Sequence, residues 1–197
     1  MYVVFESALL SWRGGDVNAK LQNPLSLNMA VKWWNEIPPP RLAGTFPTFE
    51  FEVKRPTTHP ENYWTGADVD LYHQRLIDVI ASFGVQYELF PAVIRDRKTK
   101  QPTLTDYHVF RLLEVAPIID YERSKILEST SNRRYRVPVE NLPANLPLLC
   151  RDTHYGGLVF VHLKVQAAIE DAAIIGCRFL SLDDYVARLN ITRTAGG

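Results

Sequence analysis

One stretch of this chain repeats its apolar residues at intervals of three and four, while most of the others come in short β-branched and aromatic runs, so the fold has few helices. From Asp68 to Phe83, the residues Val69, Tyr72, Leu76, Ile77, Val79, Ile80 and Phe83 share one helical face, with Asp68 as N-cap and Gly84 as stop. Tyr2 to Phe5 suits a first strand, and Phe49, Phe51 and Val53 alternate with Glu50, Glu52 and Lys54 as in a half-buried strand. Val85 to Ile94 and Tyr107 to Val115 predict an antiparallel hairpin joined by a mobile, charged loop from Arg95 to Pro102. Pro117 to Asp120 and Arg134 to Val139 are expected to extend that sheet.

The rest of the chain fits around these elements. Ser26 to Glu36 suits either period and is read as a strand; Pro38-Pro39-Pro40 then forces an extended link and marks an internal boundary. Leu158 to His162 reads as a buried strand running straight into a helix faced by Val165, Ala168, Ile169, Ala172 and Ile175. Gly176 is its left-handed cap. Ser181 with Asp184 resembles a capping box that opens a short final helix to about Asn190. The expected class is α+β, a largely antiparallel sheet with two main amphipathic helices and a short C-terminal helix, in a single domain over 1–197.

Charge and composition narrow the function. Lys and Arg number 22 and Asp and Glu number 22, so no global field draws the chain to nucleic acid or anionic lipid. No apolar run approaches the ~18–20 residues of a membrane span, and two cysteines cannot build a disulfide scaffold. The start MYVVFESALLSW lacks a basic leader region, so the cytoplasm is the expected compartment.

Motifs that carry chemistry are scarce. The sequence has no GxGxxG, GxxxxGK[ST], HExxH, paired CxxC or GxSxG. The acidic pairs Asp68/Asp70 and Asp183/Asp184 stand at predicted helix starts, where the macrodipole favours them. His154 and His162 could meet across a strand turn, but no Cys pair or acidic pair stands at ligand spacing near them. Cys150 with Asp152 and His154 is the best catalytic candidate, a thiol that an imidazole could activate, but Leu148-Leu149 before it points to a core position. No cofactor, metal or catalytic residue is therefore expected. Trp33, Trp34, Arg133, Arg134 and Tyr135 are the residue types that anchor interfaces and are the candidate partner-binding residues; the competing reading packs Trp beneath the proline link.

Read together, the later segments resemble a known family. Phe90 to Ile94, Tyr107 to Phe110, and Ile119 to Ser124 with Asp120 four residues before Ser124, follow the order of motifs in a bacterial immunity-protein family of polymorphic toxin systems. Cys150-Arg151, Leu158 to Val161, the helix to Ile175 and Gly176-Cys177-Arg178-Phe179 are similar to that family's closing pattern, with Cys150 where the family often has Phe. The resemblance spans about Asp68 to Phe179, leaving 68–190 as a family-like core and 1–55 as a divergent, β-rich N-terminal part. It implies a non-enzymatic protein that binds and neutralises a cognate toxin by occlusion. The alternatives are a Cys-dependent hydrolase using Cys150 and His154, or an interaction module unrelated to toxins.

Overall fold

The computed structural model describes residues 1–7, 11–12, 15–16, 19–34, 36, 39–54, 59–63, 65, 69–128, 134–140, 142, 145–153 and 158–185, with backbone alone at 11–12, 15–16, 34, 125–128 and 134–140. In chain order the N-terminal elements are β1 (Tyr2–Ser7), β2 (Ser11–Trp12), β3 (Gly15–Asp16), β4 (Ala19–Leu21), α1 (Leu27–Trp34) and β5 (Phe49–Val53). Next come β6 (Asn62–Tyr63), β7 (Asp70–His73), α2 (Gln74–Ala81), β8 (Tyr87–Asp96), β9 (Pro102–Leu104) and β10 (Tyr107–Leu112). The chain continues with β11 (Val115–Ala116), β12 (Ile119–Glu128), β13 (Arg134–Glu140), β14 (Leu149–Asp152), β15 (Val159–His162), α3 (Leu163–Asp171) and β16 (Cys177–Leu180). A short helical turn follows at 182–185.

The strands form two main sheets. One has the order β11-β14-β15-β1-β16, and the other β4-β5-β8-β10-β7-β6 with β9 beside β8. The α+β class is what the sequence pattern predicts. The sheets are nonetheless mixed, because β5 runs parallel to β8 and β11 parallel to β14. The segments expected to extend the hairpin sheet instead form β12 and β13, which pair with each other as a separate ribbon. The proline link does not separate the strands on either side of it, since β4 and β5 pair directly.

The two sheets contain the same unit twice. In the first, α2 connects β7 to β8 and β10 lies antiparallel between those strands; in the second, α3 connects β15 to β16 and β1 lies between them. The registers coincide. Tyr107 faces His73 and Tyr2 faces His162, with ring centroids 4.9 and 5.1 Å apart in the same edge-on pose. Each histidine caps its helix, its Nδ1 accepting from the Arg75 or Lys164 amide at 3.1 or 3.2 Å. Four positions beyond each tyrosine stands an ion pair of opposite polarity: Arg111 opposite Glu88, and Glu6 opposite Arg178.

These caps correct three expected boundaries. The α2 helix starts at Gln74, six residues after Asp68, because Asp70 to His73 is held as a strand between β6 and β10, burying Leu71 and Tyr72 on opposite faces. The α3 helix turns at Ala173, which has φ 51°, and its Ile174 amide reaches the Ile169 carbonyl; Gly176 comes later, where the chain crosses Pro60 to Asn62 too closely for any side chain. Ser26 to Glu36 is a helix over Leu27–Trp34, not a strand, opened by Ser26, whose carbonyl takes the Ala30 amide at 2.9 Å.

Burial follows the alternation of the strands. The largest apolar cluster lies between the two units and joins Phe5, Val159 and Val161 to Tyr72 and Phe110 through Leu76, Ile77 and Ile80 of α2 and Val165 and Ile169 of α3. The opposite face of the β8 sheet buries Phe49, Phe51, Leu71, Phe90 and Val109 under Trp33. The opposite face of the β1 sheet buries Val4, Cys150 and Phe160 with Ile118, Ile119 and Leu182.

Candidate interaction surface

The Cys150 thiol belongs to this last cluster. It is fully buried, and burial pushes its pKa up to about 12, with the nearby Glu114 and Asp152 carboxylates adding to the shift. A reactive cysteine needs the opposite setting, an exposed and electropositive one. Its proposed partner His154 lies outside the described residues. Asp152 is committed elsewhere: its Oδ2 accepts the Ile118 and Ile119 amides at 3.1 and 2.9 Å, and its Oδ1 accepts the Tyr121 hydroxyl. Cys177, half-buried near the Asn62 amide, is likewise raised to about 12, chiefly by burial.

Asp152 thereby fixes the root of the β12–β13 ribbon on the β1 sheet. Just beyond the root, the ladder shifts register between Asp120 and Lys125. Asp120 holds that irregularity, accepting the Arg123 amide on Oδ1 at 2.9 Å and the Ser124 hydroxyl on its carbonyl. The Asp-to-Ser spacing on which the family resemblance rests is therefore a local turn device. Beyond it, Arg134 and Tyr135 sit on β13 opposite Glu128 and Leu127. Arg133 and the side chains of Trp34, Arg134 and Tyr135 lie outside the described residues.

Trp33 corrects the expectation of an exposed anchor. It is 1% exposed, with its ring centroid 5.0, 5.3 and 5.9 Å from those of Phe90, Phe46 and Phe49. Arg111 lies over the same indole, 5.6 Å from its centroid. That guanidinium is 2% exposed and forms a clamp: it donates to the Lys32 and Trp33 carbonyls that end α1, to the Pro40 carbonyl at 2.8 Å and to Glu88 at 3.1 Å. Glu88 in turn accepts the Leu42 and Ala43 amides at 2.6 and 3.0 Å. Burial lowers the Arg111 pKa, and the hydrogen bond and charge of Glu88 oppose that shift. Arg111 supplies the C-terminal cap of α1, and the outer face of the helix is left with Leu27 at 80% and Val31 at 43% exposure.

Sequence reasoning missed this clamp, and Leu27 and Val31 with it. The available signal was a charge inside each of two apolar runs, Glu88 in Tyr87–Phe90 and Arg111 in Tyr107–Leu112, which the hairpin brings opposite each other. No family model and no curated protein matches this chain. Among the described residues, no helix is long and apolar enough to cross a membrane.

Proposed function

We propose that this chain is an immunity protein that binds a cognate bacterial toxin and neutralises it by occlusion, without catalysis. The reading rests on the order and spacing of the motifs from Phe90 to Phe179. One observation carries it: these motif residues serve the scaffold. Asp120 and Ser124 shape the ribbon root, Cys150 fills a core position, and Gly176 permits the crossing with Pro60 to Asn62. A protein that works by blocking needs such a rigid frame and a complementary surface, not a poised nucleophile. The exposed α1 face, with Leu27 and Val31, and the ribbon bearing Arg134 and Tyr135 offer that surface.

Co-expression with the product of the neighbouring toxin reading frame tests the proposal. Growth is expected to be restored and the two chains to co-purify at one to one. A toxin that remains lethal while this protein accumulates in folded form overturns it.

A further inference from the structure

The charged turn after β8 is built more firmly than its composition suggests. Its backbone is tied from several sides: Asp96 Oδ1 accepts the Lys98 and Thr99 amides at 2.9 and 2.8 Å, and the Asp96 carbonyl accepts the Lys100 amide at 2.8 Å. The Arg97 amide donates to the Val53 carbonyl at 2.8 Å, locking the turn to the end of β5. The loop expected to be mobile is thus a hydrogen-bonded turn, with Lys100 at φ 62°.

The register brings a further set of charges to the same end of the sheet. Lys20 faces Glu52, Glu52 faces Arg95, and Val53, just before Lys54, faces Asp96. Lys20, Lys54, Arg95, Arg97, Lys98 and Lys100 gather here against Glu50, Glu52 and the buried Asp96, in a chain whose charges sum to zero overall. Glu52 takes Lys100 at 2.6 Å. Among the described residues no ion pair engages Lys20, Lys54, Arg97 or Lys98, and all but the half-buried Arg97 are exposed.

We infer that this edge, presented by the ends of β5 and β8, is a docking surface for an acidic patch on the protein partner; the inference rests on the toxin-binding reading above. The hydrogen-bonded turn fixes the backbone from which these cations project, so that as a group they steer encounter and fix register. A protein surface fits better than nucleic acid. The chain has no net positive charge, and Phe49 and Phe51 of the adjoining strand are buried, so among the described residues that strand offers bases no aromatic platform on which to stack.

The test compares toxin binding by the full-length wild-type protein, a Lys54→Glu/Lys98→Glu variant, and a control of equal charge change at exposed positions outside this edge and outside the ribbon, Arg41→Glu/Lys164→Glu. All three are measured from about 50 to 300 mM salt, with thermal melts to show that each is folded. The turn variant is expected to lose at least about tenfold in association rate at low salt and most of the salt dependence, while the control stays within about threefold of wild type. Equal binding by wild type and the turn variant, with the same salt dependence, overturns the docking surface and leaves the function standing. A wild-type protein that fails to bind the toxin overturns both. Tighter binding of a fluorescent 20-nucleotide single strand than of the toxin, lost in the turn variant, assigns the edge to nucleic acid and also overturns the inference.

Discussion

Replacing Arg111 with Met tests whether the buried clamp organises α1, and the duplicated unit supplies the control. The substitution keeps the aliphatic stem over Trp33 and removes every guanidinium donor. Glu88 keeps its two amide donors but loses its counter-ion in a site where its side chain is 3% exposed, while the Lys32, Trp33 and Pro40 carbonyls lose their partner. Breaking a buried pair from one side costs about 3–5 kcal/mol. That is a large part of the roughly 5–15 kcal/mol that holds a domain folded. With a urea slope of about 2 kcal/mol/M, the midpoint should fall by about 2 M, read from tryptophan fluorescence and far-ultraviolet circular dichroism. Adding Glu88→Gln should cost much less in the Arg111→Met background than alone, because the uncompensated charge is gone. At the matching position of the second unit, Glu6 and Arg178 lie 3.6 Å apart with side chains 19% and 30% exposed, so Arg178→Met should cost no more than about 1 kcal/mol. Similar losses for Arg111→Met and Arg178→Met, or additive Arg111 and Glu88 effects, would refute the clamp.

Four further outcomes follow from single positions. Gly176→Ala should destabilise by more than about 2 kcal/mol, because its Cβ would sit 2.5 Å from Pro60 Cβ and 2.6 Å from the Asn62 carbonyl at φ 88°; Gly84→Ala, at φ 70° in open space, should cost only about 1 kcal/mol in the same thermal melts. Asp70 is raised to about 6 by burial, against the pull of Arg151, so the folded state binds its proton more tightly than the unfolded chain, and stability is lost as pH rises through 6. Asp70→Asn should therefore gain on the wild type between pH 4 and 7, by at most about 3 kcal/mol, and a pH-independent difference in urea midpoint contradicts this. His162 is lowered by burial, the N-terminal ammonium and Lys164, so its contribution is lost as pH falls below about 6.5; His162→Asn, which keeps a capping acceptor that does not titrate, should flatten the acid limb of the stability curve. Both thiols should react with an aromatic disulfide reagent only on unfolding, and fast labelling of Cys150 at neutral pH contradicts its buried, raised state.

Elements that carry their own pattern were legible in the sequence. The Phe49–Val53 alternation, the hairpin of β8 and β10, and the strand that runs into α3 all state their period within a few residues. The elements that were not legible are set by distant partners. In Leu27–Trp34 the two periods tie locally, and what decides for a helix is Ser26 at one end and Arg111, far along the chain, at the other. Asp70 to His73 continues the apolar spacing of α2 and is a strand only because β6 and β10 flank it. Trp33 and Trp34 read alike as interface anchors until packing assigns Trp33 to the core. Nor did the turn after β8 look rigid, since a run of Arg, Lys and Thr gives no hint that one buried Asp96 satisfies its amides.

The duplication explains why the N-terminal residues, which fall outside the resemblance, are integral to the frame. In the first unit the central strand β10 follows its β7-α2-β8 crossover in the chain, whereas in the second the central strand β1 comes before β15-α3-β16, separated from it by the whole first unit. The second unit therefore closes only when β1 meets β15 and β16 across that long separation. Its helix start depends on that closure: the Leu163 amide donates to the Met1 carbonyl at 3.2 Å, just as the Gln74 amide donates to Asp106 at 2.7 Å in the first unit, and in each the tyrosine after that carbonyl packs on the capping histidine. The swapped polarity of the two ion pairs fits the same logic. Either arrangement of Arg and Glu satisfies the ladder, but only the first unit faces α1 and the proline link, whose carbonyl oxygens need donors that Arg111 has and a carboxylate lacks. The polarity at that position is thus set by the layer above it, and in the second unit Glu6 and Arg178 stand reversed and partly exposed.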